Sequence, residues 1–490
     1  MEAERRPPWR ELALLALWLF ATLAWRPLLL PDEGRYAGVA YEMLHGDALV
    51  PTLDGLPFFH KPPLLYWLDM AAMRVFGAGD FAARFGPALL GWMLGAALFL
   101  HLRRCHGERV ARIGLAVLAT SPLFFLGAQY VNHDIGVAAC IGAALLALAR
   151  ALEDPARTER RWLVAGWALC GLGVLAKGLI GIVLPALVIG PWLLAQGRWR
   201  QMLGLLHPLG IAAFALVALP WMVLMQSRYP GFYDYFIVEQ HFRRFADADF
   251  NNHQPLWFFW VVLPLFMLPW TLWLVPALRE RVGLYLWWIV AITGFFSLPS
   301  SKLVGYVLPA AAPLAALLAL ALARRGAPVK AVAAGSGLFC LALVLALAWK
   351  SPPWKPPPSD RDVGTALAAH WRPGDRLVFA DDAFYDLRFT AHITAPVIVL
   401  SDWDDPDLPK HDNWKKELFD AGRFAPDGGR SVLWNWSRLP ELACGGRTWI
   451  AARPAALARL AALPGLETVF EGRSARLLLE DGRCPKPAAK

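Results

Sequence analysis

The sequence predicts an α-helical polytopic membrane protein with about eleven to thirteen spans, followed by a small extracytoplasmic α/β domain. Hydrophobic residues make up 57% of the 490 residues and charged residues only 18%, a balance typical of membrane proteins. Long apolar runs recur up to residue 350, and about 18–20 such residues form a helix that crosses a bilayer. A proline-rich segment, KSPPWKPPPS at 350–359, then separates this region from a more polar one.

Eleven apolar runs are clear candidates for membrane spans. They cover residues 12–30, 85–100, 110–128, 135–152, 163–176, 179–195, 203–225, 256–278, 284–298, 303–323 and 329–348. The runs at 163–176 and 284–298 are short for a full crossing, so we expect neighbouring helices to bury them. One or two further spans in the long loops would raise the count to thirteen.

Arginine and lysine residues are concentrated in alternate connections between these runs, for example at Arg103, Arg104, Arg150 and Arg324. The positive-inside rule places these connections in the cytoplasm. The N-terminus is then cytoplasmic, and an odd number of spans places the C-terminal region outside. The net charge of +9 is therefore a topology signal, and it does not indicate nucleic-acid binding.

The region after the proline-rich segment alternates strand-like and helix-like stretches, which predicts an α/β fold. Predicted strands cover 376–380, 397–400, 431–436, 448–451, 468–470 and 475–479, and predicted helices cover 360–370, 414–421 and 454–463. We therefore expect a transmembrane domain at 1–350, with outer loops at 31–80 and 226–254, and a second domain at 351–490. Whether Cys444 and Cys484 form a disulfide is left open.

A dense group of polar residues follows the first apolar run, at 31–37 (PDEGRYA) and 58–63 (FFHKPP). Ions at a membrane boundary are costly to desolvate, so their concentration usually marks a functional site. Helix capping accounts for one of the acids Asp32 and Glu33, but not for Arg35 and Tyr36 directly after them. We predict a catalytic role for Asp32, whereas Glu33 fits catalysis and capping equally well.

Other unusual polar residues fall in connections on the same predicted side. They are Asp134, Lys177, His241, Arg243, Arg244, Lys302 and Tyr306, together with His60 and Lys61 of the first loop. A lysine at membrane depth, such as Lys177, costs roughly 3 kcal/mol unless it is paired. Asp134 also fits a helix N-cap. We predict that these residues line one extracytoplasmic cavity.

Several cations at one cavity favour a phosphate-bearing ligand, because arginine binds phosphate with a forked set of donors and lysine acts as a point charge. A nearby carboxylate can orient or deprotonate a nucleophile. His60 and His241 are the candidate ligands for a zinc-like divalent metal, although the acids around them are dispersed. The sequence contains neither a GxGxxG motif nor a P-loop, so it gives no support for nucleotide binding.

Six segments together resemble the ArnT-type lipid A aminoarabinose transferases. These are GT-C membrane glycosyltransferases related to the protein O-mannosyltransferases. The segments are PDEGRYA, EMLHGD at 42–47, FFHKPPLLYW at 58–67, LAKGLIG at 175–181, EQHFRRF at 239–245 and SKLVGYVLP at 301–309. They occur in order through most of the membrane region. The C-terminal region resembles the family only as a domain in a similar position.

The resemblance implies a polyprenyl-phosphate-sugar-dependent glycosyltransferase in the bacterial inner membrane, with its active site and C-terminal domain in the periplasm. It would move 4-amino-4-deoxy-L-arabinose or a hexosamine from undecaprenyl phosphate to a lipid A phosphate, a modification linked to polymyxin resistance. It implies a first-loop acid at Asp32 and a second at Asp134. Donor-phosphate ligands would be Arg35, Lys61, Lys177 and Arg243 or Arg244, with Tyr36 and Tyr306 as aromatic partners.

The sequence departs from the family at one position, since His60 stands where the aminoarabinose transferases typically have glutamate before the KPP lysine. This departure leaves both the metal and the donor sugar open, and we expect no required cofactor. His60, His241 and Lys302 are further substrate-binding candidates. Three other functions stay open: a GT-C transferase acting on another envelope glycan or a protein hydroxyl, a lipid-linked sugar transporter, and a non-catalytic membrane scaffold for envelope assembly.

Overall fold

The computed structural model describes residues 7–154, 156–243, 252–280, 282–348, 359–443 and 445–481. The chain divides into two compact units. The first comprises Met1–Trp25, Lys61–Leu65 and Arg84–Ala348, and the second comprises Arg26–His60, Tyr66–Ala83 and Trp349–Lys490. The second unit thus contains two early segments of the chain as well as the C-terminal region. The domain boundary at residue 350 stays a prediction.

Each predicted apolar run contains helix in the first unit, although the helix in the run at 12–30 ends at Phe20. The α-helices are Trp9–Phe20, Phe85–His106, Glu108–Thr120, Pro122–Ala128, His133–Ala151, Arg160–Lys177, Ile180–Ala195, Trp199–Gly204, Pro208–Arg228, Phe258–Phe266, Leu274–Leu278, Gly283–Ser297, Ala311–Arg325 and Val329–Ala348. Short 3₁₀ helices cover Trp270–Trp273 and Val304–Ala310, and a π-helix covers Asp234–Arg243. The predicted helical membrane architecture is confirmed.

Five of the described helices are long and apolar enough to cross a membrane, or seven if two bent helix pairs each count as one span. One pair bends by 66° between Glu108–Thr120 and Pro122–Ala128, where a proline begins the second helix. The other bends by 107° after Phe258–Phe266. The remaining apolar runs form shorter or less apolar helices, so the chain is a multi-pass membrane protein whose count of about eleven spans stays a prediction.

The core of the first unit lies around His133–Ala151, most of whose side chains are buried. By contrast, Pro208–Arg228 and Val329–Ala348 leave most of their apolar side chains exposed, as expected for helices that face lipid. Helices Arg160–Lys177 and Ile180–Ala195 approach most closely at two glycines, since a Cβ on Gly181 would lie 2.2 Å from the carbonyl carbon of Gly173. This approach fixes the turn that follows Lys177.

The second unit is built on a six-stranded sheet. In spatial order its strands are Leu433–Asn435, Val397–Ser401, Arg376–Ala380, Thr448–Ala452, Arg476–Glu480 and Glu467–Glu471. The first four are parallel to one another and the last two pair antiparallel. A buried apolar cluster that includes Val378, Leu400 and Ile450 packs on one face. The predicted α/β fold of the C-terminal region is confirmed.

The remaining elements of the second unit are helices and one short hairpin. The α-helices are Asp32–His45, Leu64–Phe76 (which begins in the first unit), Asp80–Ala83, Arg361–His370, Leu387–Ala391, Trp414–Arg423, Pro426–Val432 and Leu457–Leu460. The 3₁₀ helices are Leu408–Lys410, Trp436–Leu442 and Pro454–Ala456, and Thr52–Leu53 pairs with Leu56–Pro57 in a small hairpin.

Two predicted elements of the C-terminal region differ in kind from the structure over part of their length. The predicted strand at 431–436 is shorter, because Pro426–Val432 is a helix that begins with proline at its first turn. The glycine pair at 428–429 concealed this helix in the sequence. The predicted helix at 454–463 is a 3₁₀ turn followed by the four residues Leu457–Leu460.

Candidate functional site

Arg35 is the centre of a buried polar cluster in the second unit. Its Nη2 donates to Asp32 Oδ1 at 2.5 Å, and its Nη1 donates to the carboxylate of Glu417. The guanidinium carbon lies 5.1 Å from the ring centre of Tyr36 and 5.4 Å from that of Tyr385. Two carboxylates and two aromatic rings therefore hold this cation. Burial lowers the pKa of Arg35, but Glu417, Tyr36, Tyr385 and Asp32 together raise it by more, so the pKa lies well above its ordinary value.

Helix Asp32–His45 carries Arg35, and two of its glycines let it pack closely against Tyr385 and Asp386. A Cβ on Gly34 would lie 3.0 Å from the backbone nitrogen of Asp386, and one on Gly38 would lie 3.1 Å from the carbonyl oxygen of Tyr385. The two glycines are four residues apart and so share one face of the helix. The glycines of DEGRYAG thus seat the helix against the turn that presents Tyr385.

Asp32 and Glu33 have different environments, although they are adjacent. The N-cap residue Pro31 makes no side-chain cap bond, and the Asp32 carboxylate accepts from Arg35 and is partly exposed. Glu33 is fully buried, where it pairs with Arg26 and accepts from the backbone N–H of Leu29 at 2.9 Å. The structure therefore does not bring Glu33 to Arg35, and this carboxylate has a structural role in place of the predicted catalytic one.

His60 belongs to the Arg35 cluster. It is buried, and its Nδ1 lies 3.8 Å from Glu417 Oε1. Tyr385 donates its hydroxyl to the other oxygen, Oε2, at 3.1 Å. Glu417 thus contacts an arginine, a tyrosine and a histidine in one buried arrangement. The sequence motifs include His60 but contain neither Glu417 nor Tyr385.

Lys177 is the centre of a second cluster, in the first unit. Its ammonium group donates to the carboxylate of Asp134 and lies 4.3 Å from the ring centre of Tyr306. Both charged side chains are largely buried, where pairing and the aromatic face offset the cost of desolvation. Helix His133–Ala151 is capped by Asn132, whose side chain accepts from the backbone N–H of Asp134. The N-cap alternative for Asp134 is therefore wrong.

Glycines allow this second cluster to close. A Cβ on Gly305 would lie 2.1 Å from Asp134 Oδ2, so the residue before Tyr306 must be glycine for the carboxylate to fit. Gly178 follows Lys177 with φ 79° and ψ −153°, a conformation that is essentially restricted to glycine. The glycines in LAKGLIG and LVGYVLP are thus required by the geometry around Lys177.

His241 supports the turn after Lys177. Its Nε2 accepts from the backbone N–H of Leu179 at 3.1 Å, and its Nδ1 lies 2.6 Å from the carbonyl oxygen of Phe236. These two bonds assign the proton to Nδ1. A Cβ on Gly178 would lie 1.9 Å from Nε2. His241 therefore packs into the space that glycine leaves and holds the backbone next to Lys177.

The remaining predicted cations have different environments. Lys302 is buried and donates to the carbonyl oxygens of Gln254, at 2.7 Å, and Pro299, so the structure gives it a loop-stabilising role in place of the predicted substrate contact. Burial lowers its pKa. Lys61 is partly exposed and Arg243 is exposed at the end of its helix. Arg244 and the two cysteines Cys444 and Cys484 lie outside the described residues.

A metal ion does not fit the predicted pair of ligands. Within the described part of the chain, no group of three or more His, Cys, Asp or Glu residues is arranged to hold one. Both ring nitrogens of His241 already contact backbone groups. We therefore derive no step through a metal. That all the predicted residues line one cavity stays a prediction.

Known proteins resemble this chain in sequence. A family profile described as dolichyl-phosphate-mannose-protein mannosyltransferase matches residues 60–223. Undecaprenyl phosphate-alpha-4-amino-4-deoxy-L-arabinose arabinosyl transferase 2 of Pseudomonas fluorescens is 36% identical over 335 residues, which cover 65% of this chain and 60% of that protein. The corresponding transferase of Pseudomonas aeruginosa (strain UCBPP-PA14) is 35% identical over 357 residues, covering 70% and 64%.

Solved structures resemble it in fold. ArnT from Cupriavidus metallidurans, bound to undecaprenyl phosphate, superposes with a TM-score of 0.85 over 98% of this chain and 99% of that one, at 22% identity. The chain resembles the ArnT-type GT-C transferases in sequence and shares their fold. The archaeal oligosaccharyltransferase AglB from Archaeoglobus fulgidus shares the fold more distantly, with a TM-score of 0.52 at 14% identity over 93% and 71%.

The predicted resemblance of the chain to the ArnT-type family is thus confirmed. The sequence matches span about three-fifths of the length of the curated relatives. Family motifs identified Asp32, Arg35, Asp134, Lys177 and Tyr306 in advance. They did not identify Glu417 and Tyr385, because these belong to the C-terminal region, where the sequence resemblance was weak.

Proposed function

We propose that this chain transfers an amino sugar from undecaprenyl phosphate to a phosphate group of lipid A on the periplasmic side of the bacterial inner membrane. The sugar would be 4-amino-4-deoxy-L-arabinose or a hexosamine. The observation that carries the proposal is the buried Lys177–Asp134 pair under the Tyr306 ring. A desolvated cation held by a carboxylate and an aromatic ring is suited to stabilise a leaving phosphate.

The proposed reaction breaks the bond between the anomeric carbon of the sugar and the phosphate oxygen of the donor. An oxygen of the lipid A phosphate attacks that carbon, and undecaprenyl phosphate leaves as the anion. Lys177, Arg35 and Lys61 would stabilise the negative charge that develops on the leaving group. Because the attacking phosphate oxygen is already an anion, this reaction needs no strong general base.

The acids then have an orienting role. Asp32 accepts from Arg35 and keeps a partly exposed carboxylate, so it can accept a hydrogen bond from the sugar or its ammonium group. Asp134 fixes the position of the Lys177 ammonium. If the acceptor were a hydroxyl group, Asp32 would be the candidate general base.

A second candidate is transfer of a sugar to a protein or glycan hydroxyl. The match of residues 60–223 to the mannosyltransferase profile favours it. Both reactions use a polyprenyl-phosphate donor, and they differ in the acceptor. A lipid-linked sugar transporter, the third possibility, would leave every acceptor chemically unmodified.

Mass spectrometry of lipid A tests the proposal. Cells with the intact gene should show lipid A whose phosphate carries an added pentosamine or hexosamine, and cells without the gene or with Asp32→Asn should not. Glu441→Gln, which alters an exposed ion pair with Arg438, is the matched control and should behave as the wild type. An unmodified lipid A profile, with sugar found instead on envelope protein or glycan, would overturn the lipid A assignment.

Purified protein provides the direct assay. Incubation with synthetic undecaprenyl-phosphate amino sugar and lipid A should yield modified lipid A and free undecaprenyl phosphate in equal amounts. If the donor stays intact in the presence of lipid A, and also in the presence of protein acceptors, the enzyme class itself is wrong.

A further inference from the structure

A cleft of about 900 Å³ lies between helices Glu108–Thr120 and Val329–Ala348 of the first unit. The two helices are tied together at the end of the first one. There the hydroxyl of Ser336 donates to the carbonyl oxygen of Thr120 at 2.5 Å, and the thiol of Cys340 donates to the same oxygen at 3.5 Å. The cleft is therefore closed towards Thr120 and opens at the N-terminal ends of both helices.

The open end of the cleft, its mouth, is lined by three cations and one carboxylate, which are Arg109, Arg112, Lys330 and Glu108. Arg112 pairs with Glu108 and with Glu11 of the first helix. Arg109 and Lys330 are exposed, and they form no ion pair with any residue that the structure describes. The mouth thus presents two cations whose charge is available to an anion from outside the protein.

The part of the cleft below the mouth is apolar. Its back wall contains the buried side chains of Ile113 and Leu322. Towards the closed end the lining residues Ala116 and Ala333 are small, so they leave the space between the helices unfilled. Helix Val329–Ala348 also leaves most of its apolar side chains exposed, so this slot is accessible from the lipid. A basic mouth above an apolar slot matches a molecule with an anionic head and a hydrocarbon chain.

The mouth lies at the opposite end of the helices from Lys177. The partner of Lys177, Asp134, lies in the first turn of helix His133–Ala151, which has 19 residues and is therefore about 28 Å long. Beyond the far end of that helix Glu153 pairs with Arg104, which belongs to the helix directly before the mouth. The cleft is thus separate from the cluster assigned to the donor phosphate, and the positive-inside rule predicts that its basic end faces the cytoplasm.

We propose that this cleft binds an anionic glycerophospholipid of the cytoplasmic leaflet. Arg109 and Lys330 would hold the headgroup phosphate, the arginine through its forked donors and the lysine as a point charge. One acyl chain would fill the apolar slot towards Thr120. Basic pockets between membrane helices on the cytoplasmic side are typical sites for acidic headgroups. The bound lipid would brace helix Val329–Ala348 against helix Glu108–Thr120 where the protein itself leaves a gap.

Native mass spectrometry of the purified full-length protein tests the charge of the ligand. Delipidated protein is titrated with phosphatidylglycerol or with phosphatidylcholine of the same acyl chains. The wild type should bind phosphatidylglycerol about tenfold more tightly, because only this lipid carries a net negative charge. The double variant Arg109→Gln with Lys330→Gln should lose this preference. Arg157→Gln with Arg160→Gln, which removes the same charge from exposed arginines of another connection, is the control and should keep it.

A variant of the slot tests the acyl chain. Ala116→Phe fills the apolar part of the cleft without changing its charge, so it should weaken the binding of phosphatidylglycerol about tenfold. If this variant does not fold, the double glutamine variant decides alone, because its two side chains are exposed and their truncation leaves no buried charge. Equal binding of the two lipids by the wild type, or an unchanged preference in the double glutamine variant, would overturn the proposal.

The unfolding temperature distinguishes a lipid from a free anion. A ligand that binds the folded state stabilises it, so phosphatidylglycerol should raise the unfolding temperature of the wild type more than that of the double glutamine variant. Glycerol phosphate at the same concentration has no acyl chain and should not raise it. Equal stabilisation by glycerol phosphate would indicate a plain anion site and overturn the lipid assignment. None of these measurements requires sugar transfer, so they stay decisive even if the proposed function fails.

Discussion

Arg35 and Lys177 are both buried cations next to glycines, but their partners differ in number and origin. Lys177 has one carboxylate, Asp134, and the ring of Tyr306, so its cluster is electrically neutral. Arg35 has two carboxylates, one three residues away and one from the C-terminal region. Its cluster is negative when His60 is neutral.

The number of carboxylate partners determines how strongly each cation can bind an anionic ligand. The Lys177 ammonium is balanced by one carboxylate and one aromatic face, so it can attract a further anion. A guanidinium between two carboxylates is held rigidly but is already compensated. We therefore expect Lys177 to contribute more to binding and stabilising phosphate, and Arg35 to contribute more to orientation.

Removing the Lys177 charge should have the largest effect. Lys177→Met is expected to lower sugar transfer about 100- to 1000-fold, the usual cost of losing one preorganised donor at a developing anion. The measurement is the initial rate with purified protein, donor and lipid A. Lys410→Met, at an exposed lysine, is the control and should keep full activity.

The same substitution leaves Asp134 as a buried unpaired charge, which costs about 3–5 kcal/mol of stability. The double variant Lys177→Met with Asp134→Asn should recover the unfolding temperature but not the rate. If the Lys177→Met protein kept more than a tenth of the wild-type rate, Lys177 would not be the main cation that stabilises the phosphate.

Gly178→Ala tests the support of the Lys177 cluster. The added methyl would overlap His241 Nε2, and the backbone conformation is costly for any other residue, by about 1–3 kcal/mol. We expect a lower unfolding temperature and at least a tenfold loss of transfer. Gly190→Ala, where a Cβ meets no atom within 4 Å, should change neither quantity. Equal behaviour of the two alanine variants would refute the role of His241 in holding this turn.

Arg35→Lys should have a smaller effect than loss of Lys177. A lysine keeps the positive charge but cannot hold two carboxylates in one plane. We expect kcat/KM for the donor to fall about tenfold, measured at saturating lipid A. Arg35→Gln removes the positive charge as well and should lower kcat/KM for the donor further. If Arg35→Lys were as damaging as Lys177→Met, the division of roles would not hold.

The smallest expected effect is the pH dependence of stability that arises from Asp54. This residue lies next to Glu42 and Arg388 in the second unit. Burial and the neighbouring Glu42 raise the pKa of Asp54 from about 3.8 to about 7, against the opposing effect of Arg388. The folded protein then holds this proton between about pH 4 and 7 while the unfolded chain does not. Stability from this group is present below pH 4 and is lost as the pH rises through about 7.

Asp54→Asn removes that titration and tolerates the positive φ of 53° at this position. Its unfolding temperature should match that of the wild type at pH 4 and exceed it by about 2–4 °C at pH 8. Asp427→Asn, at an exposed aspartate, should show no such pH-dependent difference. Parallel curves for Asp54→Asn and the wild type would contradict the raised pKa.

Much of the fold was predictable because burial leaves a regular pattern in the sequence. Strands such as Arg376–Ala380 and Thr448–Ala452 are nearly continuous apolar segments, as expected for buried strands of a parallel sheet. The broken helices were harder to predict. The bend at Ser121 and the 3₁₀ turn at Trp270 interrupt runs that read as continuous spans, since proline allows but does not require a break.

The site was predictable where a residue is unusual for its surroundings. Lys177 and Asp134 are charges at the ends of apolar runs, which made both candidates. Lys302 looked similar, but its ammonium group bonds to carbonyl oxygens, and no sequence pattern distinguishes that environment from a ligand site. Glu417 lies in a correctly predicted helix with a common surface-like composition. The one available signal was the spacing of Gly34 and Gly38, which indicates a close partner without identifying it.

The distance of 382 residues between Arg35 and Glu417 has a consequence for biosynthesis. At about 5–20 residues per second, a ribosome makes Arg35 roughly 20–80 s before it makes Glu417. During that interval the nascent chain has inserted its hydrophobic segments while a buried arginine still lacks one of its two counter-ions. A transcript truncated before codon 417 would therefore yield a membrane-inserted protein in which Arg35 lacks this counter-ion, so the defect would lie far in sequence from the deletion.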